Sequence, residues 1–151
     1  APIHQARPDV TGAIHTHTPY GTPFSALDAP LPMSSQEACA FHDNQAVFSG
    51  AELNVADLDT GKRLAADLGD NRLLVLRNHG LLTVGQHVSS AIGFYLLAER
   101  AAEVAVKVPA GRTITASEAD VVAESIGHEH NGWHVYEYLV RSRIGDRSVV
   151  G

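Results

Sequence analysis

Apolar and polar positions along this chain follow two different periods, and the switch between them outlines the secondary structure. From Val10 to His17 the run Val-Thr-Gly-Ala-Ile-His-Thr-His, entered through a Pro8-Asp9 turn, predicts a buried strand. Leu73-Leu-Val-Leu76 is a continuous apolar run of the central-strand kind, and Leu81-Leu-Thr-Val84 predicts another strand after the Arg77-Asn-His-Gly80 break. Ala46-Val-Phe48 predicts a short fourth strand. Helical spacing takes over between these runs. Leu64, Ala65 and Leu68 share one face of a helix that starts at Asp59-Thr60 and stops at Gly69. The longest helix is expected from Val88 to Val106, with Ile92, Tyr95, Leu96 and Ala102 on its apolar side and Glu99 and Glu103 on another. Thr115 or Ser117 caps a further helix that ends at Ile126-Gly127.

Shorter elements are signalled by punctuation rather than by period. Ile3 to Arg7 reads as the last turn of a helix stopped by Pro8. Thr18-Pro19 reads as an N-cap with proline in the first helical position, opening a helix towards Leu27, and Ser34 or Ser35 caps one through Phe41. Gly132 to Ile144 is expected to be a last helix or an irregular tail, because Asn131-Gly132 is a turn signal. Strands alternating with helices predict an α/β or α+β layered fold.

Composition narrows the function classes. The chain has 151 residues, 44% apolar and 19% charged, which suits one globular domain with its own core. A net charge of -6 with scattered basic residues argues against nucleic acid as the partner. No apolar run reaches the roughly 18 residues that a membrane helix needs, and Ala1-Pro2-Ile3-His4 has no signal-peptide pattern. The chain opens without methionine and in mid-element, so residues 1–151 are expected to be one domain lacking its N-terminal part. The single cysteine, Cys39, excludes an internal disulfide and fits a cytoplasmic location. Its apolar neighbours predict a buried, inert thiol.

Nine histidines change the picture most. His15 and His17 are spaced i, i+2, so in a strand both imidazoles project from one face and reach one ion. His79 ends an apolar strand and precedes Gly80, at the kind of strand end where chemistry collects in α/β folds. Three imidazoles with an open fourth position make a catalytic zinc site, and imidazole also suits iron, cobalt or nickel. The alternative for His79 is a polar turn without a metal. His128, His130 and His134 include an i, i+4 pair but not the His-Glu-x-x-His order of metalloproteases. His4, His42 and His87 read as surface or capping residues. Tyr20 lines the site or packs the core, and Trp133, Tyr136 and Tyr138 pack the tail against the domain or a neighbour.

Arg7-Pro8-Asp9-Val10, Ile14-His15-Thr16-His17-Thr18 and Arg77-Asn78-His79-Gly80-Leu81-Leu82, in this order and followed by a long helix, resemble the class II aldolase/adducin family. The resemblance runs from about Ile3 to Lys107. It implies a three-layer α/β/α domain around a mainly antiparallel sheet. It also implies a divalent metal held by His15, His17 and His79, zinc first and Fe(II) second. The metal would polarise the carbonyl of a small hydroxy-carbonyl substrate. Aldolases of the family are tetramers with sites at subunit interfaces, which implies a homo-oligomer.

Two departures qualify the aldolase expectation. The family's catalytic glutamate and its phosphate-binding glycine- and serine-rich segments lie upstream of the Arg-Pro-Asp motif, before this chain begins. An ungapped extension from His17 puts Gln36 near a family tyrosine, and Glu37 beside it is the local acid or base; these two are the candidate catalytic residues. Met33 to Phe41 is closer to divergent members of secondary metabolism, including aminocoumarin-pathway enzymes associated with iron-dependent oxidative decarboxylation. The expected function is a metal-dependent lyase performing aldol-type cleavage or decarboxylation. The alternatives are a non-haem iron oxygenase on the same fold and a non-catalytic adducin-like module.

Overall fold

The computed structural model describes residues 2–50, 57–145 and 148. Four strands, β1 (Gly12–Thr16), β2 (Gln45–Val47), β3 (Leu73–Leu76) and β4 (Gly80–Gly85), form one sheet in the order β1-β4-β3-β2. The β1–β4 and β3–β4 pairs are antiparallel and β2–β3 is parallel, so the sheet is mixed with two of its three pairings antiparallel. Around it lie α1 (Pro2–Ala6), α2 (Gly21–Ser25), a 3-10 helix (Glu37–Phe41), α3 (Leu58–Leu68), α4 (Val88–Lys107), α5 (Ala116–Ile126) and α6 (Glu129–Arg143).

The period of two in the central strands sorts the core onto two faces. Leu73, Val75 and Leu81 pack with Phe24, Phe41, Phe94 and the alanines of α4. Leu74, Leu76, Leu82 and Val84 pack with Ile3 of α1 and with Leu64, Ala65 and Leu68 of α3. The expected three layers are therefore present. Among the described residues no helix is long and apolar enough to cross a membrane. Cys39 is fully buried, and desolvation pushes its thiol up, as expected of an inert cysteine.

Several local expectations are corrected by tertiary contacts. The first strand is shorter than Val10 to His17: Val10 N–H turns back to the Arg7 carbonyl, and the ladder stops at the Thr16–Leu81 pair. Thr18 does not cap α2, which starts at Gly21 after Tyr20, because the Thr18 hydroxyl donates to the Glu99 carboxylate instead. The buried face of α4 is Ala91, Phe94, Tyr95, Ala98, Ala101, Ala102 and Ala105, mostly small residues that bring the helix close to the sheet; Ile92 and Leu96 are only half-buried. Helix α6 runs straight through Asn131-Gly132. Gly132 faces Gly93 of α4 so closely that a Cβ on Gly93 would lie 1.8 Å from the Gly132 carbonyl oxygen. Glu129, at the start of α6, is anchored by an ion pair with Arg72. Trp133 and Tyr138 remain 38% and 71% exposed on α6, so neither is buried by this chain.

Other termini follow their caps. Asp57 accepts from Thr60 N–H at 2.6 Å, so α3 is capped ahead of the expected Asp59, and Gly69 ends that helix at φ 50°. Thr115 and Glu118 form a reciprocal capping box on α5, the Thr115 hydroxyl and N–H reaching the Glu118 carboxylate at 2.7 and 2.9 Å. We expect Thr115→Ala to cost about 1 kcal/mol in denaturant unfolding. The Thr115 hydroxyl, then its N–H, holds the Glu118 carboxyl below the usual glutamate range. That contribution is therefore present above the ordinary glutamate value and is lost as pH falls through the lowered one. Stability measured against pH should lose this acid-side slope in Glu118→Gln.

Candidate metal centre

The three histidines expected from spacing come together at one edge of the sheet. His15 is in β1, opposite Leu82, and His17 lies just past the strand end. His79 is the last residue of a three-residue turn joining β3 to β4, in which Asn78 takes a left-handed φ of 54°. Asparagine is one of the few residues that tolerates this conformation. Gly80 follows at φ 149°, where a Cβ would approach the Thr16 carbonyl oxygen at 3.2 Å and His15 Cε1 at 3.4 Å. The turn is pinned from outside: Asn78 N–H donates to the Ser25 carbonyl at 3.2 Å, and Arg77 reaches Asp28 at 3.1 Å.

The donor atoms face one another. One ring nitrogen from each of His15, His17 and His79 lies within 4.8 Å of the other two. Nε2 of His15 and Nε2 of His79 are 3.3 Å apart. Two imidazole nitrogens bound to one tetrahedral ion at about 2.1 Å would be about 3.4 Å apart, so the spacing fits a shared metal. Nδ1 of His15 lies 2.8 Å from the Leu81 carbonyl oxygen. A carbonyl only accepts, so in the neutral ring the proton sits on Nδ1 and Nε2 presents its lone pair. Burial, and then the charges of His15 and His17, push the His79 imidazole below its usual value, which favours the neutral, metal-binding form. An apolar recess of about 240 Å³ adjoins His15 and is lined by Ile3, Gly61, Leu64, Leu76 and Leu82.

The remaining candidates are placed elsewhere. Gln36 is exposed just before the 3-10 helix and Glu37 is half-buried in its first turn. That helix packs its Phe41 against Phe94 of α4, whereas His15 adjoins the α1–α3 face. Glu37 is not grouped with His15, His17 and His79. His42 pairs with Asp120 at 3.2 Å and ties the end of the 3-10 helix to α5, with Asp43 and Asp120 largely in solvent. His128 caps α6 by accepting from Asn131 N–H at 3.2 Å, and His130 stacks on Trp133 and meets His134 edge-on. His87 is the N-cap residue of α4, and Tyr20 packs against the core beneath Lys107.

One residue beside the site goes beyond the sequence reading. Glu99 accepts from the Thr18 hydroxyl at 2.6 Å, Gly21 N–H at 2.7 Å and Tyr20 N–H at 2.9 Å, in the turn that follows His17. Its signal in the sequence is faint but present. It lies four residues after Tyr95 and three before Ala102, which puts an acid at the flank of the apolar stripe rather than opposite it.

The chain is similar to known proteins in both sequence and fold. The family described as the class II aldolase and adducin N-terminal domain matches residues 1–106. The chain is 36% identical over 142 residues to the 4-hydroxy-3-prenylphenylpyruvate oxygenase/4-hydroxy-3-prenylbenzoate synthase of Streptomyces roseochromogenus, with 92% of this chain and 51% of that protein covered. Decarboxylase NovR of Streptomyces niveus is 36% identical over the same length, at 92% and 53% coverage. Among solved structures, an L-fuculose 1-phosphate aldolase from Glaciozyma antarctica superposes with a TM-score of 0.80 at 29% identity, covering 93% of this chain and 56% of that one. The chain thus spans about half the length of the curated relatives it matches. With the family's match extending over more than two-thirds of its length, and its three histidines converging at a sheet edge, this chain belongs to the class II aldolase and adducin family.

Proposed function

We infer that this chain carries the metal centre of a lyase that breaks a carbon–carbon bond beside a carbonyl, by aldol-type cleavage or decarboxylation of a small hydroxy-carbonyl molecule. The observation that carries this reading is the convergence of His15, His17 and His79 from two strand ends. These residues would hold zinc or Fe(II), and the bound ion supplies a Lewis acid for the substrate's oxygens. The chain does the rest by preorganisation. The Leu81 carbonyl sets the tautomer of His15, and partial burial favours the neutral form of His79. The apolar recess beside His15 gives the carbon skeleton of a substrate a place to leave water. That recess favours a substrate with an aromatic or branched alkyl portion, in keeping with the phenylpyruvate in the name of one relative and the decarboxylation in the name of another. The proposed chemistry rests on the histidines and not on Gln36 or Glu37.

A second reading, oxidative decarboxylation with iron on the same three imidazoles, is favoured by the relative named as an oxygenase. A cytoplasmic homotetramer is part of the proposal by family resemblance, and analytical ultracentrifugation tests the assembly. Metal analysis of protein purified without chelator, followed by turnover of aryl-substituted 2-oxo and 2-hydroxy acids with and without oxygen, separates the two chemistries. Stoichiometric zinc with oxygen-independent turnover supports the lyase, and iron with oxygen consumption supports the second reading. Protein that binds neither metal sinks both.

A further inference from the structure

Strand β1 accounts for the position of His15 but not for that of His17. The ladder ends at the Thr16–Leu81 pair, so no neighbouring strand holds His17. Its ring nevertheless lies 5.4 Å from that of His15 and 4.8 Å from that of His79, centroid to centroid. Two side chains one turn apart on α4 grip the backbone on either side of it. The Tyr95 hydroxyl donates to the Thr16 carbonyl at 2.7 Å, before His17. After His17, the Glu99 carboxylate collects the Thr18 hydroxyl, Tyr20 N–H and Gly21 N–H at 2.6, 2.9 and 2.7 Å. Gly21 belongs to the same device, because a Cβ there would stand 2.7 Å from Thr18 Oγ1 and 3.0 Å from Glu99 Oε2.

We propose that Glu99 is a positioning residue of the metal centre. It holds the turn over residues 16–21 so that the His17 imidazole meets those of His15 and His79, and it acts through that backbone without touching substrate. The proposal rests on the three-histidine reading of the site. Only a carboxylate satisfies this turn. Oε1 accepts the Tyr20 N–H and Oε2 accepts the Gly21 N–H, and neither backbone group can reverse its polarity. Whichever way a glutamine amide is placed, its NH2 faces one of these donors, so the isosteric change breaks the grip without changing volume.

The test is a Co(II) titration of the full chain, reading affinity and the visible ligand-field spectrum, with the melting temperature of the metal-free protein as a check on folding. Glu99→Gln should lower Co(II) affinity about 10- to 100-fold, the range seen when an outer-sphere partner of a metal ligand is lost. It should also weaken or shift the tetrahedral band. Glu124→Gln, which removes the same charge from an exposed position of α5 away from that turn, should leave both unchanged. Wild-type protein that binds no Co(II) overturns the metal reading itself. Wild-type protein that binds, with Glu99→Gln equal to it in affinity and spectrum, overturns the positioning role and leaves the metal site standing. Should Glu99→Gln fail to fold, Thr18→Val decides, since it removes one donor to Glu99 at constant shape. An affinity loss with an altered spectrum supports the proposal, and wild-type behaviour overturns it.

Discussion

His15→Ala and His79→Ala are each expected to abolish stoichiometric metal binding, with zinc or Co(II) affinity falling at least about 100-fold. Loss of an outer-sphere partner already costs about 10- to 100-fold, and these changes remove a direct ligand from a set of three. The fold should survive. His15 is exposed and His79 half-buried, and substitutions outside the core usually shift stability by no more than about 0.5 kcal/mol. The affinity loss is therefore separable from unfolding, which a metal-free melting curve verifies. His42→Ala is the matched control: it breaks the 3.2 Å contact with Asp120, away from the histidine group, and should leave metal content unchanged. Equal loss in all three variants would argue for non-specific binding by imidazole. Retained one-to-one metal in His15→Ala would remove this site from consideration.

Gly93→Ala is expected to destabilise the fold by about 3 kcal/mol, the upper part of the usual range for overpacking. Two effects oppose each other here. In an isolated helix, alanine in place of glycine stabilises by up to about 1 kcal/mol. At this position the new methyl would lie 1.8 Å from the Gly132 carbonyl oxygen and 2.6 Å from its carbonyl carbon. Those atoms are backbone and cannot rotate away, so α6 would have to move as a unit. Moving it strips cover from Phe94, which is fully buried and carries Arg72 over its ring at 3.8 Å. The clash at the helix crossing outweighs propensity, and the net effect is a loss. Denaturant unfolding monitored at Trp133, on α6, reads both the loss and whether α6 separates first. A stabilised Gly93→Ala would mean that the two helices do not meet through these glycines.

Much of the candidate site is legible in the amino-acid sequence. The i, i+2 pair His15/His17 and the strand-ending His79 carry the metal hypothesis, and the surrounding Arg-Pro-Asp and Arg-Asn-His-Gly motifs carry the family and with it the layered fold. Local chemistry is readable wherever a signal acts within about one turn of chain. Thr115 and Glu118 cap α5 because the partners are three residues apart, and Gly69 closes α3 because φ 50° is open to glycine. Leu73 to Leu76 declares a strand buried on both faces because every position is apolar.

Where sequence and structure part, the physical source is the same each time. Thr18 has the chemistry of a helix cap, but its hydroxyl is taken by a carboxylate 81 residues away, a stronger acceptor than any local one. Asn131-Gly132 has the chemistry of a break, but α6 needs a residue without a Cβ where it crosses α4 at Gly93. Glu99 has the spacing of an acid beside an apolar stripe, and its role emerges only when the turn after His17 folds onto it. Residue type and period are enough to single out the three imidazoles as candidate ligands, two on one strand face and the third at a strand end. They put His17 inside that strand, whereas the ladder stops at Thr16 and the backbone around His17 is held from α4. That belongs to the tertiary fold, because the groups that hold its backbone are remote in the chain and leave no periodic trace in it.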